Sequence, residues 1–234
     1  MPGSVYLIPT FLYEQAVETI PSYVTDAVKK CEVFFVENER TARRYLKQLW
    51  REMVIDDYTW FTIHKAETEV QQVFTKLLKE GKHIGIISEA GCPGVADPGQ
   101  ILVNAAHKAG AIVKPLVGPS SVLLALMGSG MNGQHFQFVG YLPIETGARK
   151  TVLKELENES GKKNCTQIFI ETPYRNNQLI KQIVETCKPQ TQLCIAADIT
   201  APSETIVTKS ITEWKKQLPD IHKRLAIFLL WSER

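Results

Sequence analysis

The sequence predicts an α/β protein made of two successive α/β halves, a mainly parallel N-terminal sheet followed by a mixed C-terminal one. Three observations predict it. Short apolar runs such as Val5-Tyr6-Leu7-Ile8, Val33-Phe34-Phe35-Val36 and His83-Ile84-Gly85-Ile86-Ile87 alternate with stretches of helical periodicity, the pattern of βαβ units. The alternation resumes beyond Pro119 with a second set of runs. At about 150 residues per domain, 234 residues suffice for one large or two small cores.

In chain order, the first strand is closed by Pro9, and a helix over 22–30 separates it from the second strand. Ala66, Val70, Val73, Phe74, Leu77 and Leu78 recur at spacings of three and four, which predicts an amphipathic helix stopped by Gly81. The third strand, 83–87, opens into a Gly/Pro-rich loop over 88–99, a helix over 101–109 ended by Gly110, and the strand Ile112-Val113-Lys114. The composition softens near 116–119, so the domains are placed at 1–116 and 117–234. A small-residue helix runs to about Met127, and glycines over 128–133 interrupt the pattern. The second half then reads as strand Phe136-Gln137-Phe138, helix 149–159, strand 167–170, helix 175–187 and strand 193–197. Strand-like stretches at 205–208 and 225–230, around a short helix near Trp214, point to at least one antiparallel neighbour.

Composition narrows the function classes. Hydrophobic residues are 44% and charged residues 22%, values of a folded globular chain. The longest apolar run, 225–231, is far below the ~20 residues of a membrane span, and Met1-Pro2-Gly3-Ser4 does not open a secretory signal, so a cytoplasmic location without membrane attachment is expected. A net charge of +2 gives no global attraction to nucleic acid, so any such site must be local. Cys31, Cys92, Cys165, Cys187 and Cys194 are odd in number and scattered, which favours reduced thiols; no ligand spacing suggests a metal.

Three loops carry the chemistry. The loop Ser88-Glu89-Ala90-Gly91-Cys92-Pro93-Gly94-Val95-Ala96-Asp97-Pro98-Gly99 follows a buried strand, where open α/β sheets bind ligands. Within it Cys92 has no nearby histidine to activate it and reads as a structural thiol. Val117-Gly118-Pro119-Ser120-Ser121 also passes from strand to helix, offering amides and hydroxyls to a ligand or an N-cap serine. Glu37-Asn38-Glu39-Arg40-Thr41 ends the second strand; its carboxylates are either a base or the acidic start of a helix capped by Thr41. On that helix Arg40, Arg43, Arg44, Lys47 and Arg51 form a basic stripe, a phosphate contact or a solvated face. Gly128-Ser129-Gly130-Met131-Asn132-Gly133 spells the GxGxxG dinucleotide fingerprint, but a helix precedes it and a strand follows, the reverse of the required order.

Together these loops resemble those of the tetrapyrrole methylase superfamily of S-adenosylmethionine-dependent enzymes, and within it the ribosomal RNA small subunit methyltransferase I family. The stretches are Val36-Glu37-Asn38-Glu39-Arg40-Thr41, Ser88-Glu89-Ala90-Gly91-Cys92-Pro93 with Asp97-Pro98-Gly99, Gly118-Pro119-Ser120-Ser121 and Phe138-Val139-Gly140-Tyr141-Leu142-Pro143, with Glu171-Thr172-Pro173-Tyr174-Arg175 as a weaker fifth. The resemblance implies two α/β domains with S-adenosyl-L-methionine in the cleft between them, in a homodimer. It implies a cofactor wall of Leu12, Cys92, Val95, Ser120 and Ser121, with Ile170, Ala197 and Leu225 from the second domain. Several positions depart from the family pattern: Thr10-Phe11-Leu12-Tyr13 replaces a Gly-Asn pair, Asn38 an Asp, Cys92 a Thr, Tyr174 a His, and Ala197-Asp198 an Arg-Glu pair. The small C-terminal extension of many members is not expected here.

The activity so implied is methyl transfer to an oxygen nucleophile, foremost a ribose 2′-hydroxyl of 16S ribosomal RNA, with ribosomal RNA or the small ribosomal subunit as partner. Glu37, Glu39 and Asp198 are the carboxylates available to take the hydroxyl proton. Two alternatives remain open: methyl transfer to a tetrapyrrole or other small molecule, and a non-catalytic module that binds cofactor or RNA.

Overall fold

Buried on both faces, the three inner strands of the N-terminal sheet read as nearly unbroken apolar runs because each pleat side packs a different helix pair. The computed structural model describes residues 1–63 and 67–232. Its chain divides into two compact units, Met1–Ser120 and Ser121–Arg234. In the first, strands β1 (Ser4–Ile8), β2 (Val33–Val36), β3 (Thr59–Thr62), β4 (Ile84–Ile87) and β5 (Ile112–Pro115) alternate with helices α1 (Tyr23–Val28), α2 (Glu39–Leu49), α3 (Glu67–Lys79) and α4 (Gln100–Lys108). The sheet order is β3-β2-β4-β1-β5, all parallel.

Alternate residues of these strands serve opposite faces. Tyr6, Ile8, Phe34 and Val36 pack with Val24, Tyr45 and Leu46 of α1 and α2. Val5, Val33, Phe35, Ile84 and Ile86 pack with Phe74, Leu78 and Leu102 of α3 and α4. Each fully buried side chain of this kind contributes about 1.5–3 kcal/mol over leaving it in water. Ala66, counted in the helical periodicity that predicts α3, lies outside the described residues. β3 is an edge strand that the sequence reading lacks. It is held by cross-strand aromatic pairs, Trp60 against Phe34 and Phe61 against Phe35, both at 4.9 Å between ring centroids.

The sequence boundary at 116/117 falls four residues before the division between the units. The loop 117–120 packs with the first unit: the Val117 amide donates to the Tyr23 hydroxyl at 2.6 Å, and a Cβ placed at Gly118 would lie 2.1 Å from Pro9 Cβ.

The second unit holds α5 (Ser121–Ser129), β6 (Phe136–Tyr141), α6 (Thr146–Lys163), β7 (Thr166–Ile170), α7 (Asn176–Thr186), β8 (Gln192–Ala197), β9 (Thr205–Ser210), α8 (Ile211–Lys216) and β10 (Ala226–Trp231). Its order is β6-β7-β10-β8-β9. β6 and β7 are parallel, β10 runs antiparallel to both β7 and β8, and β9 antiparallel to β8, so the sheet is mixed. Leu153, Leu156, Leu179, Ile183 and Trp214 from α6, α7 and α8 cover one face. The glycine run begins in the last turn of α5 and precedes β6, the order that excludes the dinucleotide fingerprint. Cys31, Cys165, Cys187 and Cys194 are buried thiols and Cys92 is partly exposed. Among the described residues no cluster of three His, Cys, Asp or Glu side chains is set to hold a metal, and no helix is long and apolar enough to cross a membrane.

Candidate functional site

The carboxyl edge of the N-terminal sheet is shaped by its strand order. β1 continues through α1 on one face toward β2, whereas the neighbouring β4 continues through α4 on the other face toward β5. The chain thus leaves β1 and β4 in opposite directions and opens a crevice between their ends, the position where such sheets bind ligands. A cleft of about 170 Å³ lies there, bordered by Thr10, Leu12, Thr41, Arg44, Ser88 and Glu89 among others.

Main-chain bonds lock the loops around it. The Thr10 amide donates to the Gly91 carbonyl at 2.8 Å, and the Tyr45 hydroxyl donates to the Pro9 carbonyl. Gly91 has φ +73°, and a Cβ there would sit 3.4 Å from Leu12 Cδ2 and 3.5 Å from the Pro119 carbonyl, so three loops meet at this glycine. The Cys92 thiol points at the Pro119 and Gly118 carbonyls, 3.5 and 3.8 Å away. Burial first, then the charge of Asp97, pushes the Cys92 pKa up, which keeps it a thiol and agrees with a structural role.

Carboxylates gather on the same edge. The Glu89 amide donates to Glu37 Oε2 at 3.0 Å. Burial, then Glu37, raises the Asp97 pKa to about 6, with Ser88 drawing it partly back and Glu89 adding to the rise. Asp97 is a group the sequence reading passed over as chemistry; its only signal was membership of the loop. Asn38, and not Thr41, caps α2: its side chain accepts from the Arg40 and Thr41 amides at 3.1 and 3.3 Å. An amide oxygen does this as well as the carboxylate it replaces in the family pattern. Glu39 forms an ion pair with Arg43, one turn on. The basic stripe is largely engaged inside the molecule. Arg44 pairs with Glu14 at 3.1 Å, and Lys47 Nζ donates to the Arg51 and Met53 carbonyls.

Of the remaining residues read as cofactor wall in this unit, Val95 is 49% exposed at the loop's tip and Ser120 immediately precedes α5. Ser121 is the first residue of that helix and belongs to the second unit.

In the second unit Ile170 ends β7, Ala197 ends β8 and Leu225 immediately precedes β10; because β10 is antiparallel to both, the three share one sheet end. Ala197 is fully buried and Leu225 is 64% exposed. The Asp198 amide donates to the Leu225 carbonyl at 2.8 Å, and Asp198 Oδ2 accepts from Arg224 Nε at 2.7 Å and Ser203 Oγ at 3.0 Å. Next to Ile170, Glu171 accepts from the Thr172 amide at 2.7 Å and from Arg175 Nη2 and Nε at 2.7 and 2.9 Å. It also faces the fully buried Arg149 at 3.5 Å. Burial raises the Glu171 pKa, but the bonds from Arg175 and Thr172 outweigh it and hold the carboxyl below its usual range.

The residues at the first edge suit S-adenosylmethionine. That cofactor carries a sulfonium and an ammonium, and the charges of Glu37 and Glu89 raise the cost of ionising Asp97, which a bound cation relieves. Leu12 and Val95 add apolar surface of the kind an adenine ring takes.

Comparison with known proteins agrees with the fold. The profile of the tetrapyrrole (corrin/porphyrin) methylases matches residues 18–215. "Ribosomal RNA small subunit methyltransferase I" of Vibrio cholerae serotype O1 is 29% identical over 208 residues, covering 89% of this chain and 69% of that protein. The protein of the same name from Micromonospora olivasterospora is 33% identical over 173 residues, 74% of this chain and 52% of its own length. The chain thus spans between about half and two thirds of these relatives. Among solved structures, the methyltransferase CobJ superposes over 98% of this chain and 94% of its own with a TM-score of 0.65 at 17% identity. A uroporphyrin-III-C-methyltransferase from Thermus thermophilus superposes over 99% of this chain and 93% of its own with a TM-score of 0.56 at 16% identity. With the two-sheet architecture, the loop order and a profile match over most of its length, the chain belongs to the tetrapyrrole (corrin/porphyrin) methylases, a methyltransferase family.

Proposed function

We propose that this chain uses S-adenosylmethionine to methylate a ribose 2′-hydroxyl of small-subunit ribosomal RNA. The observation that carries the reading is the similarity, over 89% of the chain, to a protein named for small-subunit ribosomal RNA methylation, taken beside the carboxylate-bearing edge around Glu37, Glu89 and Asp97. Leu12, Cys92, Val95, Ser120 and Ser121 are the proposed cofactor contacts on and after the first sheet, and Ile170, Ala197 and Leu225 the second unit's contribution.

When bound, the cofactor supplies a methyl carbon on a cationic sulfur, already activated for transfer. The chain's work is then to orient the acceptor hydroxyl, exclude water and take the proton. Of Glu37, Glu39 and Asp198, we assign the proton to Glu37. Glu39 is held by Arg43 and Asp198 by Arg224, so each would have to leave an ion pair to reach an acceptor hydroxyl. The single bond from the Glu89 amide fixes Glu37 Oε2 and so orients the carboxylate at the strand end. The proposal extends to a homodimer, a two-fold pairing being the commonest oligomer, and to the cytoplasm, where ribosomal RNA is met.

The buried Cys31 and Cys187 thiols take no part in this scheme, and Cys92 enters it as a protonated lining thiol, not as a nucleophile.

The test is transfer of radiolabelled methyl from the cofactor to fractionated RNA and to small metabolites of cells lacking the protein. Label is expected in small-subunit RNA, in dinucleotides resistant to alkali, because alkaline cleavage needs a free 2′-hydroxyl. Label confined to small molecules contradicts the RNA reading; label in alkali-sensitive nucleotides contradicts the ribose.

A further inference from the structure

We propose that the turn Pro173–Arg175 and the segment 220–224 of the second unit form a stacking platform for single-stranded RNA, with Tyr174 as its aromatic face and Lys223 as its phosphate contact. This rests on the RNA reading above and names where on the chain that substrate is held.

Tyr174 is 71% exposed, at the end of β7. An exposed tyrosine alone is ordinary; this one is surrounded by cationic and planar groups on a braced scaffold. Lys223 Nζ lies 5.9 Å from the Tyr174 ring centroid, and the His222 ring stands edge-on at 5.9 Å and 73°. A ring so exposed keeps surface on which a base can stack, and every base has a π face to offer.

The scaffold is held by internal bonds. The Lys223 amide donates to the Pro173 carbonyl at 3.0 Å, joining the two segments directly, with Lys223 at φ +65°. Fully buried Asn176 donates through Nδ2 to the Arg224 carbonyl at 2.7 Å and the Ile221 carbonyl at 3.3 Å. Asn177 donates to Asp220 at 2.8 Å and accepts from the Ile221 amide at 3.0 Å. A ring and a cation held this way lose little freedom on binding, which favours affinity.

Charge decides the occupant. Of the nearby carboxylates, Glu171 is ion-paired with Arg175 and Asp198 with Arg224, while Asp220 is held ionised by hydrogen bonds from Asn177 and the His222 amide. Lys223, whose Nζ stands beside the exposed Tyr174 ring, has no carboxylate partner among the described ion pairs and is the cation this surface offers to a phosphate. The basic stripe on α2, by contrast, spends Arg43, Arg44 and Lys47 on internal partners and has no comparable ring presented for stacking. Aromatic and basic groups side by side are the combination single-stranded nucleic acid needs.

Fluorescence anisotropy with a labelled short single-stranded oligoribonucleotide tests this on the full chain, with Tyr174→Ala, Tyr174→Phe and Lys223→Gln beside the wild type. Folding is followed by circular dichroism, and S-adenosylhomocysteine binding by calorimetry. Tyr174→Ala is expected to weaken RNA binding by roughly five- to a hundredfold, while Tyr174→Phe stays close to wild type. Lys223→Gln is expected to flatten the slope of log affinity against log salt by roughly 0.7. If the wild type binds S-adenosylhomocysteine but no RNA, the RNA reading itself falls and the platform with it. If the wild type binds RNA and folded Tyr174→Ala binds it equally, the platform alone is overturned. A folded Tyr174→Ala that loses self-association and keeps its RNA affinity assigns the surface to a second copy of the chain and also overturns it.

Discussion

The main-chain amide of Glu89 donates to Glu37 Oε2 at 3.0 Å, tying the start of the long loop after β4 to the end of β2. The bond brings two motif segments, 52 residues apart in sequence, onto one sheet edge, and leaves Asp97 facing a second negative charge.

Glu37→Gln keeps an oxygen for the Glu89 amide but removes the charge. The fold is expected to persist by circular dichroism, and methyl transfer to fall by about 10²–10⁴, the usual contribution of a general base. The Asp97 pKa is expected to drop, read by carboxyl NMR titration, because a like charge has gone. An unchanged transfer rate removes Glu37 from the role assigned to it.

Asp97→Asn tests the electrostatics of the loop through stability. The fold raises the Asp97 pKa from 3.8 to about 6, so the folded chain holds that proton more tightly than the unfolded one. Ionised Asp97 therefore costs stability above about pH 6 and costs none below about pH 4. The variant is expected to gain about 1–2 kcal/mol in urea unfolding at pH 8, less than the full shift because the group keeps solvent contact, and nothing at pH 4. Equal effects at both pH values contradict this account.

Gly118→Ala places a methyl group 2.1 Å from Pro9 Cβ, where loop and strand end are in contact. Relief requires moving the 117–120 loop, at about 1–3 kcal/mol or more. A lowered melting temperature together with weakened S-adenosylhomocysteine binding is the expected result. A variant with wild-type stability and affinity rejects the close packing of this loop on Pro9.

Much of this arrangement was legible in the sequence. The runs at Val5, Val33 and Ile84 announce strands because burial on both faces leaves no polar position in them. The loops at Ser88 and Val117 announce themselves because strand-to-helix turns near a ligand concentrate glycine, proline and serine. β3 was not legible: four residues at a sheet edge, partly exposed, carry little periodicity, and its support is the stacking of Trp60 and Phe61 on another strand. Nor was the engagement of Asp198 by Arg224 or of Glu171 by Arg149, since such pairs depend on segments adjacent in space and distant in the chain. The nearness of Asp97 to Glu37 likewise follows from β2 and β4 being neighbours, which strand order alone decides.

Glu171→Ala would leave the fully buried guanidinium of Arg149 without its carboxylate. Breaking a buried pair from one side costs about 3–5 kcal/mol, whereas replacing both partners by neutral groups costs much less. Thermal unfolding of Glu171→Ala, and of Arg149→Met combined with Glu171→Gln, is expected to show a large loss that the double variant partly recovers. A loss under about 1 kcal/mol in the single variant shows that the pair does not hold this sheet end together.

The central claim is that the cofactor binds at the carboxyl edge of the N-terminal sheet, against the loop that carries Ser120. Calorimetric titration of S-adenosylhomocysteine into Ser120→Ala and Ser120→Leu tests it most directly. Loss of one hydroxyl costs about 0.5–1.5 kcal/mol, at most roughly tenfold in affinity, whereas a branched side chain in the ligand's path has no such ceiling. Both variants are expected to fold by circular dichroism, Ser120→Ala to bind within about tenfold of the wild type, and Ser120→Leu to show no measurable heat. A folded Ser120→Leu that binds S-adenosylhomocysteine as the wild type does would contradict it.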